Sequence, residues 1–156
     1  MALRLSTGLV TELMGDGTDD NSLRELLKDG VLDIYSGSQP SNADATETGV
    51  KLVSITESSG AFVGGAPGNG LEFDAAVDGE LSKAVAETWS GNGIAIGTAG
   101  WFRFYNNAYI LGESTVAIRF DGNVSTAGSQ LILSSTAIQV SLPITIDTFT
   151  LTQPKS

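Results

Sequence analysis

Carboxylates are the only side chains in this sequence that offer conventional acid–base chemistry. The 156 residues include 18 Asp and Glu but no His and no Cys, which excludes a Ser-His-Asp triad, a Cys-His pair and any metal site with His or Cys ligands. Glu72 and Asp74 alternate along the chain, with Asp78 and Glu80 close behind, and glycosidases use such pairs of acids. Glu72 and Asp74, however, alternate with apolar residues, as acids do on the solvent face of a half-buried strand. We therefore expect no enzyme activity and no cofactor.

Two other motifs have ordinary structural interpretations. Asp16, Asp19 and Asp20 form an acidic cluster, but the segment lacks the alternating ligands, central Gly and distal Glu of an EF-hand, so we expect a solvated loop and no metal. Residues 91–97 read Gly-Asn-Gly-Ile-Ala-Ile-Gly. The third glycine lies one position too late for a dinucleotide fingerprint, and no βαβ unit follows it. This glycine run predicts a turn or a bulge.

The densest aromatic segment is Trp-Phe-Arg-Phe-Tyr at residues 101–105. Alternation places Phe102 and Phe104 on one face of a strand and Trp101, Arg103 and Tyr105 on the other. This pattern favours a central strand between two packed layers. Exposure of Trp101 and Tyr105 beside free carboxylates would instead indicate a platform that binds sugars or protein.

The formal net charge is −10, and all of the excess lies in the first half of the chain. Residues 1–80 carry 14 acids against 4 bases, whereas residues 81–156 carry 4 of each. Without a basic track we expect neither nucleic-acid binding nor docking on an anionic membrane. We see no secretion signal and no apolar run of transmembrane length, and therefore expect a soluble protein that is made in the cytoplasm.

The N-terminal segment carries an apolar stripe. Leu5, Leu9 and Leu13 recur at a spacing of four, with Val10 and Met14 alongside, which predicts a short amphipathic helix. The stripe needs a partner, and we predict that these five residues contact another protein or another subunit. The alternative is that the leucines pack on their own domain, and the sequence favours neither interpretation over the other.

The predicted fold is an all-β, jelly-roll-like β-sandwich with a short N-terminal helical arm. Residues 1–30 form the arm, with a second helix at about 23–29 that follows a polar loop, and residues 31–156 form the β-sandwich domain. Apolar and polar residues alternate after Val31. The predicted strands are residues 31–35, 50–56, 71–75, 81–89, 100–105, 115–120, 130–133, 137–142 and 144–151. The last strand changes phase near Asp147, which indicates a bulge or a strand shared by two sheets. Residues 36–49 and 58–70 are long loops of the kind that form contact surfaces.

Several stretches together resemble a group of small proteins encoded among the structural genes of tailed bacteriophages. They are LRLSTGLVTELMG, SLRELLKDGVLDIYSGSQPSNAD, GLEF, WSGNGIAIGTAGWFRFY and ITIDTFTL. The resemblance implies a virion component that is present in many copies, is assembled in the bacterial host and has no catalytic role. Within this class we expect a decoration or cement protein that binds the major capsid protein, or other virion proteins, and stabilises the outer shell. The resemblance further implies a homo-oligomer, with a trimer as the usual form.

Three other functions remain open from the sequence alone. A tail, collar or head-to-tail junction protein belongs to the same virion class and differs only in its position on the particle. A carbohydrate-binding β-sandwich is the second alternative, and it depends on exposed aromatic side chains. A carboxylate-based glycosidase is the third, and it requires two acids about 5 to 10 Å apart across a cleft.

Overall fold

The computed structural model describes residues 3–14 and 22–153, and this part of the chain is all-β with two short helices near its start. The helices are α1 (Thr7–Leu13) and α2 (Leu23–Leu26). The strands are β1 (Arg4–Leu5), β2 (Val31–Ser36), β3 (Lys51–Glu57), β4 (Glu80–Ser82), β5 (Trp89–Asn92), β6 (Gly97–Tyr105), β7 (Arg119–Ser125), β8 (Leu131–Ile132), β9 (Ala137–Ile138), β10 (Pro143–Ile146) and β11 (Thr150–Thr152).

Nine strands form one sheet, and the other two form a small separate one. The main order is β1-β7-β6-β2-β3-β5-β10, with β8 on β7 and β9 on β6, whereas β11 pairs with β4. β1 has two residues and β10 has four, and β10 begins with Pro143. Short edge strands and an edge proline limit pairing with other chains.

The main sheet presents one face to the apolar core. Phe102 and Phe104 of β6 and Phe120 of β7 are fully buried, and the rings of Phe104 and Phe120 stack at 5.2 Å. Leu81 of β4 and Leu151 of β11 belong to the same cluster. The small sheet and the main sheet therefore enclose one core.

The predicted N-terminal helix is confirmed over Thr7–Leu13, but Leu5 precedes it in β1. Ser6 separates the two elements. Its buried hydroxyl accepts a hydrogen bond from the Leu9 amide at 3.2 Å, which caps the helix, and it donates to the Ala117 carbonyl at 2.6 Å. One side chain thus starts the helix and holds it against the sheet.

The second predicted helix is confirmed but ends at Leu26 rather than at residue 29. Ser22 caps it, because its hydroxyl accepts from the Glu25 amide at 3.3 Å. The chain then turns through Asp29, which has a φ of 53°, and Gly30 pairs with Leu71. Pairing with residue 71 replaces the last helical turn.

The strand predicted at 115–120 was largely wrong, because β7 begins at Arg119 and continues to Ser125. The Ser114 hydroxyl accepts from the amides of Val116 and Ala117 at 3.3 and 3.1 Å, which forms a turn before the strand. Val116 consequently points outward, with 75% of its surface exposed.

Other predicted strands were interrupted or shortened. Residues 71–75 make only isolated bridges, residues 81–89 divide into β4 and the start of β5, and residues 137–142 keep only β9. Residues 144–151 divide between β10, in the main sheet, and β11, in the small sheet. The change of phase near Asp147 thus marks the passage of the chain between two sheets.

Candidate functional site

An apolar groove lies beside the N-terminal arm. We call it the arm groove, and its volume is about 740 Å³. Its apolar lining comes from both helices, both sheets and the segment that precedes β4. These side chains are Leu3, Leu5, Leu13, Leu23, Ala75, Ala76, Leu81, Phe120 and Leu151. Arg24 and Glu80 are the charged side chains that also line it. Among the residues that the structure describes, the lining of the arm groove is therefore mainly apolar.

The five predicted contact residues occupy different environments. Leu9 is fully buried in the core, whereas Leu5 and Leu13 line the arm groove and remain about 40% exposed. Val10 is exposed to a similar degree, and Met14 is 82% exposed. The arm thus packs on its own domain through Leu9 and leaves the other four side chains accessible to a partner.

The aromatic segment at 101–105 is a central strand, as predicted. Trp101 and Tyr105 are both buried, which removes the surface platform that sugar binding at this segment requires. Trp101 stacks on Tyr35 with a centroid distance of 4.5 Å, and its Nε1 donates to the Thr48 carbonyl at 3.2 Å. This face of the sheet is therefore covered by a loop.

Beneath that loop lies a buried ionic network, formed by Glu47, Arg103, Arg119 and Asp121. Arg103 donates to both carboxylate oxygens of Asp121, from Nε at 2.5 Å and from Nη2 at 2.8 Å, and its Nη1 donates to Glu47 Oε1 at 2.9 Å. Burial raises the pKa of Asp121, and the Arg103 guanidinium opposes this shift. Arginine keeps its charge in proteins, so the two groups form an ion pair.

Arg119 fastens two loops to the sheet. Its guanidinium donates to four backbone carbonyls at 2.7 to 2.9 Å, belonging to Ala43, Asp44, Ile110 and Gly112. Burial alone would raise the pKa of Glu47, but hydrogen bonds from the Gly112 amide and the Tyr105 hydroxyl, together with Arg103, lower it. Residues 43–48 of the predicted contact loop at 36–49 are therefore held against the sheet by hydrogen bonds from Trp101, Arg103 and Arg119.

A polar pocket of about 390 Å³ continues along the same face of the sheet. We define it by Lys51, Ser54 and Thr56 of β3, Ser59, Gly60 and Phe62 of the next loop, Gly91, Asn92 and Ile94, and Val31 and Tyr109. Asp33 lies beside it, fully buried. Ser54 Oγ donates to Asp33 Oδ1 at 2.6 Å, and Tyr109 OH donates to Asp33 Oδ2 at 2.8 Å. Lys51 Nζ is 3.5 Å from the same Oδ2.

Burial raises the pKa of Asp33 above its ordinary value of 3.8, and the Lys51 charge opposes this only in part. A carboxyl with a raised pKa contributes stability that is complete below the ordinary value and is lost as the pH rises through the raised value. The difference in unfolding free energy, wild type minus Asp33→Asn, should therefore fall as the pH rises from 3.8. Urea unfolding between about pH 3.5 and pH 7 measures it.

Ser54→Ala is the matched control for this experiment. Ser54→Ala removes one hydrogen bond to the same carboxylate but keeps the titrating group. The difference in unfolding free energy, Ser54→Ala minus Asp33→Asn, should therefore still fall as the pH rises. If the unfolding free energy of the wild type minus that of Asp33→Asn rises with pH, the predicted direction is wrong.

The predicted acid pair lines neither the arm groove nor the polar pocket. Glu72 is half-buried, and burial together with the nearby Asp29 charge raises its pKa. Asp74 is exposed and accepts a hydrogen bond from the Val85 amide at 2.9 Å. The two acids therefore differ in exposure, but both are more exposed than the buried residues with which they alternate along the chain.

The acidic cluster at 16–20 lies outside the described residues. Within residues 3–14 and 22–153, no group of three or more acidic side chains is arranged to hold a metal ion. Neither α1 nor α2 has the length and apolar character needed to cross a membrane.

Comparison with known proteins adds no relative to this description. No family model matches the chain, and no curated protein or solved structure matches it.

Proposed function

We propose that this chain is a non-enzymatic structural protein of a tailed-phage virion, a decoration or cement protein on the outer shell. The observation that carries the proposal is the arm groove, an apolar surface joined to the exposed leucines of the arm. An exposed apolar groove is one kind of surface through which proteins bind partner proteins. The described lining residues include two charged side chains, Arg24 and Glu80, and protein interfaces are likewise poor in charge at their centre.

Net charge supports an attachment to protein on the outside of the particle. A chain of charge −10 is repelled by packaged DNA. Apolar contacts with the major capsid protein, or with other virion proteins, must then supply the affinity. Repeated at many lattice positions, modest contacts stabilise a shell as any ligand of the native state does.

A jelly-roll-like β-sandwich and a homo-oligomer, with a trimer at three-fold positions, complete the proposal. Support for the sandwich comes from the single core between the main sheet and the small sheet. The oligomer follows from the phage resemblance and from the closed symmetry that homo-oligomers adopt.

The second candidate is a tail, collar or head-to-tail junction protein. Apolar contact through the arm groove serves either position equally well. A cryo-EM map of the particle, with the chain located in it, distinguishes the two.

The attachment surface is tested by replacing Leu5 and Leu13 together with serine. Both side chains are about 40% exposed at the groove, and loss of the apolar area that they would bury on a partner should weaken binding at least tenfold. Binding is measured by co-sedimentation of the full chain with particles that lack this protein. Ile96→Ser with Val140→Ser is the control, because both side chains are exposed but lie outside the groove.

The cementing role has its own measurement on the same particles. Particles without the protein should release their DNA at a lower temperature than complete particles, and wild-type protein should restore the difference. Equal release temperatures would remove the cementing role. Full binding by the Leu5 and Leu13 variant would exclude the arm groove as the attachment surface.

A further inference from the structure

We propose that the polar pocket binds a neutral, polyhydroxylated ligand of monosaccharide size. This inference goes beyond the proposed structural role and concerns a different surface. The pocket is formed by β3, by residues 91–94 and by the loop at 58–70, which the sequence marks as a contact loop and which contributes nothing to the arm groove.

The pocket offers both donors and acceptors of hydrogen bonds. The Lys51 ammonium has three N–H groups; it donates to Tyr109 OH at 3.0 Å and lies 3.5 Å from the Asp33 carboxylate, which leaves one N–H for a ligand. Ser54 and Thr56 donate to Asp33 and to the Gly60 carbonyl, so their oxygen lone pairs remain as acceptors.

Asn92 extends this set at the edge of the pocket. Its side chain is exposed and can both donate and accept. A sugar hydroxyl needs a donor and an acceptor at the same time. The combination of ammonium, hydroxyl and amide groups meets that need better than a surface with donors alone.

Charge selects against ions as ligands. The Lys51 ammonium already lies within ion-pair distance of Asp33, which is fully buried and accepts hydrogen bonds on both oxygens. The floor of the pocket is therefore close to neutral. An anion would meet a cation that is already paired, and a cation would find no free carboxylate.

Aromatic rings form an apolar wall. The rings of Phe62 and Tyr109 meet edge to face, with a centroid distance of 5.5 Å, and Phe62 is only partly buried. Aromatic rings with nearby polar groups suit ligands that present both C–H and O–H groups. The volume of about 390 Å³ lies within the range of roughly 300 to 1,000 Å³ that small-molecule sites occupy.

The test is a titration of the full ¹⁵N-labelled chain with D-glucose, D-galactose, D-mannose and N-acetyl-D-glucosamine, each followed by amide chemical shifts. At least one sugar should move the amides of Ser59, Gly60, Phe62 and Asn92 in a saturable way. Asn92→Ala should weaken that binding about fivefold, the effect of one hydrogen bond, and Phe62→Ala should weaken it further. Gln139→Ala, an exposed amide outside the pocket, is the matched control.

Phe62→Ala could weaken binding indirectly, by disturbing Tyr109, which packs against it. Asn92→Ala avoids this ambiguity, because the Asn92 side chain is exposed and its removal should leave the fold unchanged. The proposal is overturned if none of the four sugars moves the pocket amides, or if Asn92→Ala binds as tightly as the wild type. It is also overturned if inorganic phosphate moves those amides and the sugars do not. The arm groove is untouched by these variants, so this result is independent of the attachment test.

Discussion

Replacement of Arg103 with methionine should lower the free energy of unfolding by about 3 to 5 kcal/mol. The Arg103 side chain is fully buried and is the bidentate partner of Asp121, whose side chain is equally buried. Its removal leaves the buried Asp121 carboxylate without its bidentate partner, and it leaves Glu47 with Arg119, whose Nη1 is 3.6 Å from Glu47 Oε1. An uncompensated buried charge costs far more than the packing that methionine retains.

Urea denaturation at neutral pH measures this loss of unfolding free energy. Two further variants serve as comparisons. Glu25→Gln breaks the exposed Arg24–Glu25 pair and should change stability by less than about 1 kcal/mol. The double change Arg103→Met with Asp121→Leu should recover part of the loss, because apolar pairs replace buried ion pairs at little cost. A loss for Arg103→Met as small as that of the surface pair would mean that the network does not stabilise the fold.

Leu9→Ala should destabilise the protein by about 2 to 5 kcal/mol, the usual cost of a truncated leucine in a core. Leu13→Ala, four residues along the same helix, should cost about 1 kcal/mol or less, because its side chain is already 39% exposed. Thermal and urea unfolding of the two variants measure the contrast directly.

The same pair of variants separates the two roles of the arm. In co-sedimentation with particles, Leu13→Ala should weaken attachment, whereas Leu9→Ala, studied at a temperature where it is folded, should not. Equal losses of stability would show that Leu13 belongs to the core as much as Leu9 does. That result would remove the physical basis for a contact surface on the arm.

The central strand could be predicted from the sequence because alternation is a local property. Phe102 and Phe104 on one face and Trp101, Arg103 and Tyr105 on the other are encoded by position alone, and the structure shows these two faces. The capped helices were likewise predictable, since Ser6 and Ser22 act on amides three residues away.

The spacing of the arm leucines was a less reliable guide. A spacing of four placed Leu5, Leu9 and Leu13 on one helical stripe, but Ser6 ends β1 and begins α1. Leu5 consequently lies in a strand, and Leu9 points into the core. The Ser6 hydroxyl donates a hydrogen bond to the Ala117 carbonyl and accepts one from the Arg119 amide, and these bonds decide the arrangement. Such distant partners cannot be predicted from a local pattern.

The buried ionic network escaped prediction for the same reason. Asp121 and Glu47 lie 18 and 56 positions from Arg103, and only the register of β6 with β7 and the path of the 36–49 loop bring them together. One local signal was present. A charged residue inside an aromatic run, as Arg103 is, needs a buried partner of opposite charge.

The strand order also determines when this protein can fold during synthesis. β2 lies between β3 and β6, so it remains an open edge until residues 97–105 have left the ribosome. β1 can pair only later still, since the partner of Arg4 in the sheet is Asp121. Most of the sheet must therefore form after translation is nearly complete, through pairings between distant segments, which is slow for all-β chains. In that interval the unpaired edge of β2 can pair with another nascent chain.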